Sequence, residues 1–164
     1  MYGIDLITVC IAGKNQCAID ALNYLIKINK NFNIVSLVNK SDKGKDGWQK
    51  SFKKYSKKRK IKIVKIHKLY NLKKLYLFSF EYENLLKVNK FKSKNLFNFH
   101  FSLLPKYRGC HTNFYQIFKG EKKSGVTLHK IDSGIDTGDI IDKVNFVIKI
   151  NDTAFQNYFK LMKY

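Results

Sequence analysis

The run Leu6-Ile7-Thr8-Val9-Cys10-Ile11-Ala12, ended by Gly13, narrows the possible architectures more than any other stretch. It is apolar almost without alternation, so a strand formed from it must be covered on both faces, as at the centre of a parallel sheet. Helical spacing follows over residues 18–28. A second strand is expected over 32–38, then a polar loop over 41–47 and a lysine-rich helix from 48 to about 58. Further strands are expected over 61–66 and 75–78. Strands alternating with helices imply right-handed crossovers. The expected fold class is α/β: a Rossmann-like, twisted, mostly parallel sheet with helices on both faces and a ligand crevice at the strands' carboxyl ends. Gly13-Lys14-Asn15 either presents amides and a lysine to an anion or is an ordinary strand-to-helix turn. It is neither a Gly-x-Gly-x-x-Gly nor a Walker loop.

At 164 residues and 45% hydrophobic content the chain has enough material for one domain with a real core, and hardly for two. No stretch approaches the roughly 18 uninterrupted apolar residues of a membrane span. Met1-Tyr2-Gly3-Ile4-Asp5 lacks the basic start of a secretory signal, so a soluble, cytoplasmic protein is expected. Cys10, Cys17 and Cys110 are odd in number and lack Cys-x-x-Cys spacing, which points to reduced thiols and not to a disulfide framework or a thiolate zinc site.

The net charge of +20, from 32 basic and 12 acidic residues, invites a nucleic-acid reading. The kind of cation argues against it. Arg59 and Arg108 are the only arginines, and the lysines are spread over nearly every segment, as an AT-rich coding bias would spread them. Either way the field favours anionic substrates.

Chemistry concentrates between Asn95 and Asp142. In Leu96-Phe97-Asn98-Phe99-His100-Phe101 the strand period places Leu96, Asn98 and His100 on one face and the phenylalanines on the other. A polar pair on so apolar a strand must be satisfied by partners or lie at the strand's carboxyl end, and Pro105, stopping the strand soon after, favours the second. A helix over 111–119 closed by Gly120, a strand over 125–131, a glycine-bearing loop over 132–139 and a strand over 140–148 follow. Upstream, Phe78-Ser79-Phe80-Glu81-Tyr82-Glu83 either holds a planar heterocycle or begins a helix capped by Ser79. Trp48 either stacks on a ring or anchors its helix on the sheet. By themselves Asn98, His100 and Asp136 fit a satisfied core network as well as a catalytic set.

Three motifs, in order and at matching spacing, carry a resemblance: Asn98-Phe99-His100-Phe101-Ser102-Leu103-Leu104-Pro105-Lys106-Tyr107-Arg108-Gly109, Gly125-Val126-Thr127-Leu128-His129, and Asp132-Ser133-Gly134-Ile135-Asp136-Thr137-Gly138-Asp139-Ile140-Ile141. Together they resemble the folate-dependent formyltransferase family. Leu104 to Asn113 and Asp46-Gly47-Trp48-Gln49 are most similar to its bacterial nucleotide-sugar branch, which acts on dTDP-linked amino sugars. The resemblance implies formyl transfer from N10-formyltetrahydrofolate to the amine of a dTDP-amino-dideoxyhexose, as in lipopolysaccharide O-antigen biosynthesis. It implies a catalytic set of Asn98, His100 and Asp136. Asn98 would donate to the oxyanion and His100 would exchange the amine proton. Asp136 would favour the protonated imidazole and fix its orientation. Phe80, Glu81, Tyr82, Asp132 and Asp139 would hold the pterin, largely through main-chain groups; Lys106 or Arg108 would meet the substrate's phosphates, and Trp48 would offer it a ring face. No metal is required, and a His100, His129 and Asp136 metal site ranks low without a helical His-x-x-x-His.

Phe101 stands where many members have proline, which affects loop shape. The resemblance covers essentially the whole chain, although the family's catalytic domain normally continues further. The chain is therefore expected to be a catalytic domain over 1–164, truncated at its carboxyl end and without an accessory domain. Such an end leaves it either weakly stable or dependent on a homodimer partner. The alternatives are a methionyl-tRNA formyltransferase-like enzyme and a non-catalytic basic nucleic-acid-binding module.

Overall fold

The computed structural model describes residues 6–28 and 31–164. The signal-peptide argument from Met1 to Asp5 lies outside them. Two compact units are present, Met1–Phe97 and Asn98–Tyr164.

The first unit is built on β1 (Thr8–Gly13), buried along its whole length. It pairs in parallel with β2 (Asn33–Val38) on one side and β4 (Leu75–Phe80) on the other, Cys10 standing opposite both Val35 and Leu77. With neighbours on both edges and apolar cover on both faces, a polar side chain here needs a partner, as Thr8 has in Asn33 Nδ2 at 3.4 Å, and the rest of the run is apolar. Helix α1 (Asn15–Ile28) buries Ala18, Ile19 and Leu22, which meet Ile11, Ile34 and Phe52 in the core. Helix α2 (Phe52–Lys58) begins at Ser51, whose hydroxyl accepts from the Lys54 N–H at 3.0 Å. Gly13 has φ +151°, and a Cβ there would lie 1.9 Å from the Phe80 carbonyl oxygen, so only glycine fits.

Several local expectations are corrected. The strand expected over 61–66 shrinks to β3 (Lys62–Ile63), a short edge strand beside β2 that gives way to a 3₁₀ turn at Ile66–Lys68. Ser79 caps no helix. Pairing with β1 carries β4 on to Phe80, so Ser79 is buried inside the strand opposite Ala12. Trp48 lies in the loop before α2 and is 70% exposed, so it does not anchor that helix. Strand–helix alternation also lapses, since single 3₁₀ turns, Ile66–Lys68 and Val88–Lys90, stand between β3 and β4 and between β4 and β5.

Strand β5 (Asn95–His100) carries the chain into the second unit. There α3 (Thr112–Phe118) precedes β6 (Lys123–Lys130), which pairs antiparallel with β7 (Ile140–Val147), and α4 (Ala154–Leu161) follows. Thr153 and Gln156 form a reciprocal capping box at the start of α4. The α/β class holds, with parallel strands in the first unit and an antiparallel pair in the second.

The interior of the second unit is polar. Gln116 donates to the Phe101 carbonyl at 2.8 Å and accepts from Ser124. Thr127 donates to the Ser102 carbonyl at 2.6 Å and accepts from the Leu104 N–H at 3.2 Å, and Thr112 also reaches Phe101. These side chains hold the irregular 101–111 loop by hydrogen bonds where a longer strand would have used a ladder. Among the described residues, no helix is long and apolar enough to cross a membrane.

Candidate active site

Period-two alternation puts Asn98 and His100 on one face of β5, and His100 is the strand's last residue. Both expectations for this polar pair are met: it stands at the carboxyl end and it has partners. Asp136 comes from the loop between β6 and β7, with φ +52°. That loop is braced from within. The Asp132 carboxylate accepts from the Gly134 N–H at 3.0 Å and from the Thr137 hydroxyl at 2.7 Å, and a Cβ on Gly138 would fall 2.0 Å from the Lys130 carbonyl oxygen.

Asp136 is the hub of the site. Its Oδ2 accepts from the Gly109 N–H at 2.8 Å and stands 3.4 Å from His100 Nδ1. Its Oδ1 accepts from Asn98 Nδ2 at 3.3 Å and stands 3.4 Å from His129 Nε2. Asn98 Nδ2 also lies 3.2 Å from His129 Nε2. The remaining ring nitrogens face backbone carbonyls: His100 Nε2 lies 2.7 Å from the Tyr107 oxygen, and His129 Nδ1 lies 2.7 Å from the Lys130 oxygen. A carbonyl only accepts, so His100 carries its fixed proton on Nε2 and His129 on Nδ1. The nitrogen of His100 left to gain or lose a proton is Nδ1, the one beside Asp136. His129 Nε2 is then an acceptor for the Asn98 amide.

Burial is the largest influence on His100 and pushes its pKa below the ordinary imidazole value, with the nearby His129 acting the same way. The Tyr107 carbonyl and the Asp136 charge oppose this without overcoming it. For Asp136, burial would raise the carboxyl, but the neighbouring His129 and His100 rings and the Gly109 N–H together hold it below its usual range. The resting site is therefore a neutral imidazole beside an ionised carboxylate. Asp136 does pull His100 toward its protonated form, as expected, and desolvation exceeds that pull.

Sequence reasoning missed the role of His129. It considered this residue only as a metal ligand, yet the side chain is 2% exposed and touches both Asn98 and Asp136. The available signal was alternation in Thr127-Leu128-His129, which places a histidine on the same buried face as Thr127. Among the described residues, no group of three histidines, cysteines or carboxylates is arranged to hold a metal ion.

The other expected site residues have diverse places. In the first unit Phe80 ends β4, and Glu81, at φ +54°, accepts at its carbonyl from Asn39 Nδ2 at 2.9 Å. Tyr82 is half-buried there, which raises the pKa of its hydroxyl. In the second unit Asp132 braces its own loop, and the exposed Asp139 pairs with Lys130 at 3.3 Å. Arg108 is exposed between Tyr107 and Gly109, whose backbones hold His100 and Asp136. Lys106 turns to Glu121 at 3.1 Å.

Comparison with known proteins gives a consistent picture. A family model described as formyl transferase matches residues 80–163. The crystal structure of WlaRD, a sugar 3N-formyl transferase in the presence of dTDP and 5-N-formyl-THF, superposes with a TM-score of 0.93 at 48% identity, covering 97% of this chain and 58% of that one. An N-formyltransferase from Helicobacter canadensis, in complex with folinic acid and dTDP-3-aminofucose, gives 0.93 at 47%, covering 97% and 60%. A methionyl-tRNA formyltransferase of Clostridium tetani is 43% identical over 81 residues, 49% of this chain and 25% of that protein. The chain thus spans about six tenths of these solved relatives and a quarter of that curated one.

Proposed function

The chain belongs to the formyl transferase family, and on that premise we propose that it moves a formyl group from N10-formyltetrahydrofolate to the amine of a nucleotide-linked amino sugar, a dTDP-amino-dideoxyhexose. The observation that carries this reading is the convergence of Asn98, His100 and Asp136 at the end of β5. The near-half identity to two solved enzymes whose descriptions name dTDP or a dTDP-amino sugar supports the acceptor.

The amine nitrogen attacks the formyl carbon, its oxygen becomes an oxyanion, and the bond to N10 of the folate then breaks, with N10 taking up a proton. The neutral His100 can receive the proton lost by the amine at Nδ1, where Asp136 stabilises the resulting cation. Asn98 holds both amide hydrogens toward Asp136 and His129 at the long distances of 3.3 and 3.2 Å. Turning one of them to the oxyanion exchanges a weak internal contact for a charge-assisted one. Arg108 is proposed for the diphosphate, which positions the amine through a part of the substrate that does not react.

The same reading places the protein in the cytoplasm, with a nucleotide sugar and not nucleic acid as its partner. It also makes the protein a homodimer, because Ile140, Ile141, Val144 and Val147 leave β7 apolar and exposed. A monomer in sedimentation at working concentration would overturn the dimer alone. The acceptor is tested by supplying formyltetrahydrofolate with dTDP-amino sugars or with charged initiator tRNA and following tetrahydrofolate release. Turnover with an amino sugar and none with tRNA is expected; the reverse result would assign the methionyl-tRNA activity instead.

A further inference from the structure

A concavity of about 700 Å³ lies in the Asn98–Tyr164 unit and involves none of Asn98, His100 and Asp136. Its volume is typical of a small-molecule site. Leu103, Pro105 and Tyr107 give it an apolar wall, and Lys106, Lys119, Lys122 and Lys123 surround it together with a single carboxylate, Glu121. Four lysines and one glutamate along the lining, against a low-dielectric wall, leave a net positive potential in the hollow.

Glu121 neutralises only part of that field. It accepts from the Tyr107 hydroxyl at 2.8 Å and from Lys106 at 3.1 Å, contacts that hold its carboxyl below the usual range. Among the described residues, Lys119, Lys122 and Lys123 have no carboxylate partner; the Lys119 ammonium instead lies 5.8 Å from the Phe118 ring centre. Gln116 also lines the hollow, with its amide already bonded to Phe101 and Ser124. What the cavity offers is therefore cations and apolar surface, with little unspent polar hydrogen bonding. Lysine ammonium groups suit phosphate oxygens as point charges, and several around one hollow suit adjacent phosphates.

We propose that this concavity binds a small molecule bearing a di- or triphosphate. It is separate from the formyl-transfer site although the two share Tyr107, whose carbonyl accepts from His100 while its hydroxyl turns to Glu121. The proposal does not depend on the formyl reading, and its test needs no turnover. Lysines in general do not explain it, because the grouping around a hollow of ligand size is what distinguishes these four from the rest.

The probe is inorganic tripolyphosphate, titrated calorimetrically at low ionic strength into the whole chain. Lys119→Ala with Lys122→Ala should weaken binding about tenfold. Lys57→Ala with Lys58→Ala removes the same charge from exposed positions on α2 and should leave affinity nearly unchanged. Glu121→Gln removes the competing carboxylate and should tighten binding severalfold, an effect that misfolding cannot mimic. Formyl transfer in the absence of tripolyphosphate should be unchanged by the Lys119 and Lys122 substitutions. Absence of binding, or equal losses from the two lysine pairs, would overturn the site. So would a single-stranded RNA whose binding the Lys119 and Lys122 changes weaken as much as that of tripolyphosphate, since the cations would then form a nucleic-acid surface.

Discussion

The two units of this chain solve burial in different ways. Met1–Phe97 fills its interior with Ile11, Ile19, Leu22, Phe52, Leu75 and Leu77, and its buried polar groups are mostly serines. Asn98–Tyr164 buries His100, Ser102, Thr112, Gln116, Ser124, Thr127, His129 and Asn157, with Leu104, Val126 and Leu161 as its buried apolar side chains. Apolar packing is non-directional and tolerates repacking, whereas buried polar groups hold their neighbours at fixed distances and angles. The candidate catalytic groups stand in the unit whose interior enforces geometry.

That contrast predicts different consequences for substitutions in the two units. His100→Ala should lower formyl transfer on the order of 10²–10⁴-fold, and Asn98→Ala on the order of 10²–10³-fold, with cooperative melting kept. Turnover near the parent rate in either variant would remove it from the chemical step. Leu77→Ala, in the fully buried part of β4, should do the opposite: cost about 2–5 kcal/mol in denaturant unfolding and leave kcat intact well below the melting range. If it abolished turnover while the protein stayed folded, the division of labour would be wrong.

His129→Phe sharpens the comparison, because it keeps volume and removes only hydrogen bonding. It leaves the Lys130 carbonyl and the Asn98 amide short of a partner, at a cost of about 1–3 kcal/mol in stability. As a positioning residue His129 should also lower kcat with KM little changed, whereas a purely structural role would leave kcat alone.

Asp136→Asn should move the acidic limb of the pH–rate profile to lower pH, because the carboxylate is one of the influences raising the His100 pKa. An unmoved limb at an unchanged rate would reduce Asp136 to a loop residue. The smallest effect is on stability. The unfolded imidazole gains a proton near 6.5 and the buried one does so lower, so stability should fall as pH drops through that window. Asp136, depressed in the folded state, contributes stability that is present above the usual carboxylate value and lost as pH falls through its own lower one. His100→Gln should remove the first decline in a pH series of melts and keep the second.

The same difference sets what was legible in the sequence. The core strand expected over 6–12 is observed as Thr8–Gly13, and the polar face of β5 was readable because apolar pattern and period two are local signals. Ser79 was misread because its neighbours fit a helix start equally well; pairing with Ala12, far away in sequence, decided the matter. His129 was underrated for the same reason, since its partner Asn98 lies 31 positions away and nothing in residue type announces such a contact. The family motifs brought Asn98, His100 and Asp136 together on paper. The tautomers, the neutral imidazole and the turn of Lys106 toward Glu121 depend on contacts made only in the folded chain.

Tyr107, His111 and Asp136 all hold left-handed backbone angles, with φ of +56°, +58° and +52°. Aspartate bears this conformation with little difficulty, but for tyrosine it costs about 1–2 kcal/mol that glycine would not incur. A laboratory selection for heat resistance alone would therefore be drawn to Tyr107→Gly, which relaxes the chain while discarding the hydroxyl on Glu121 and loosening the carbonyl that orients His100. Variants surviving such a selection would last longer and work less well, so thermal screening of this protein should always be paired with a measure of turnover.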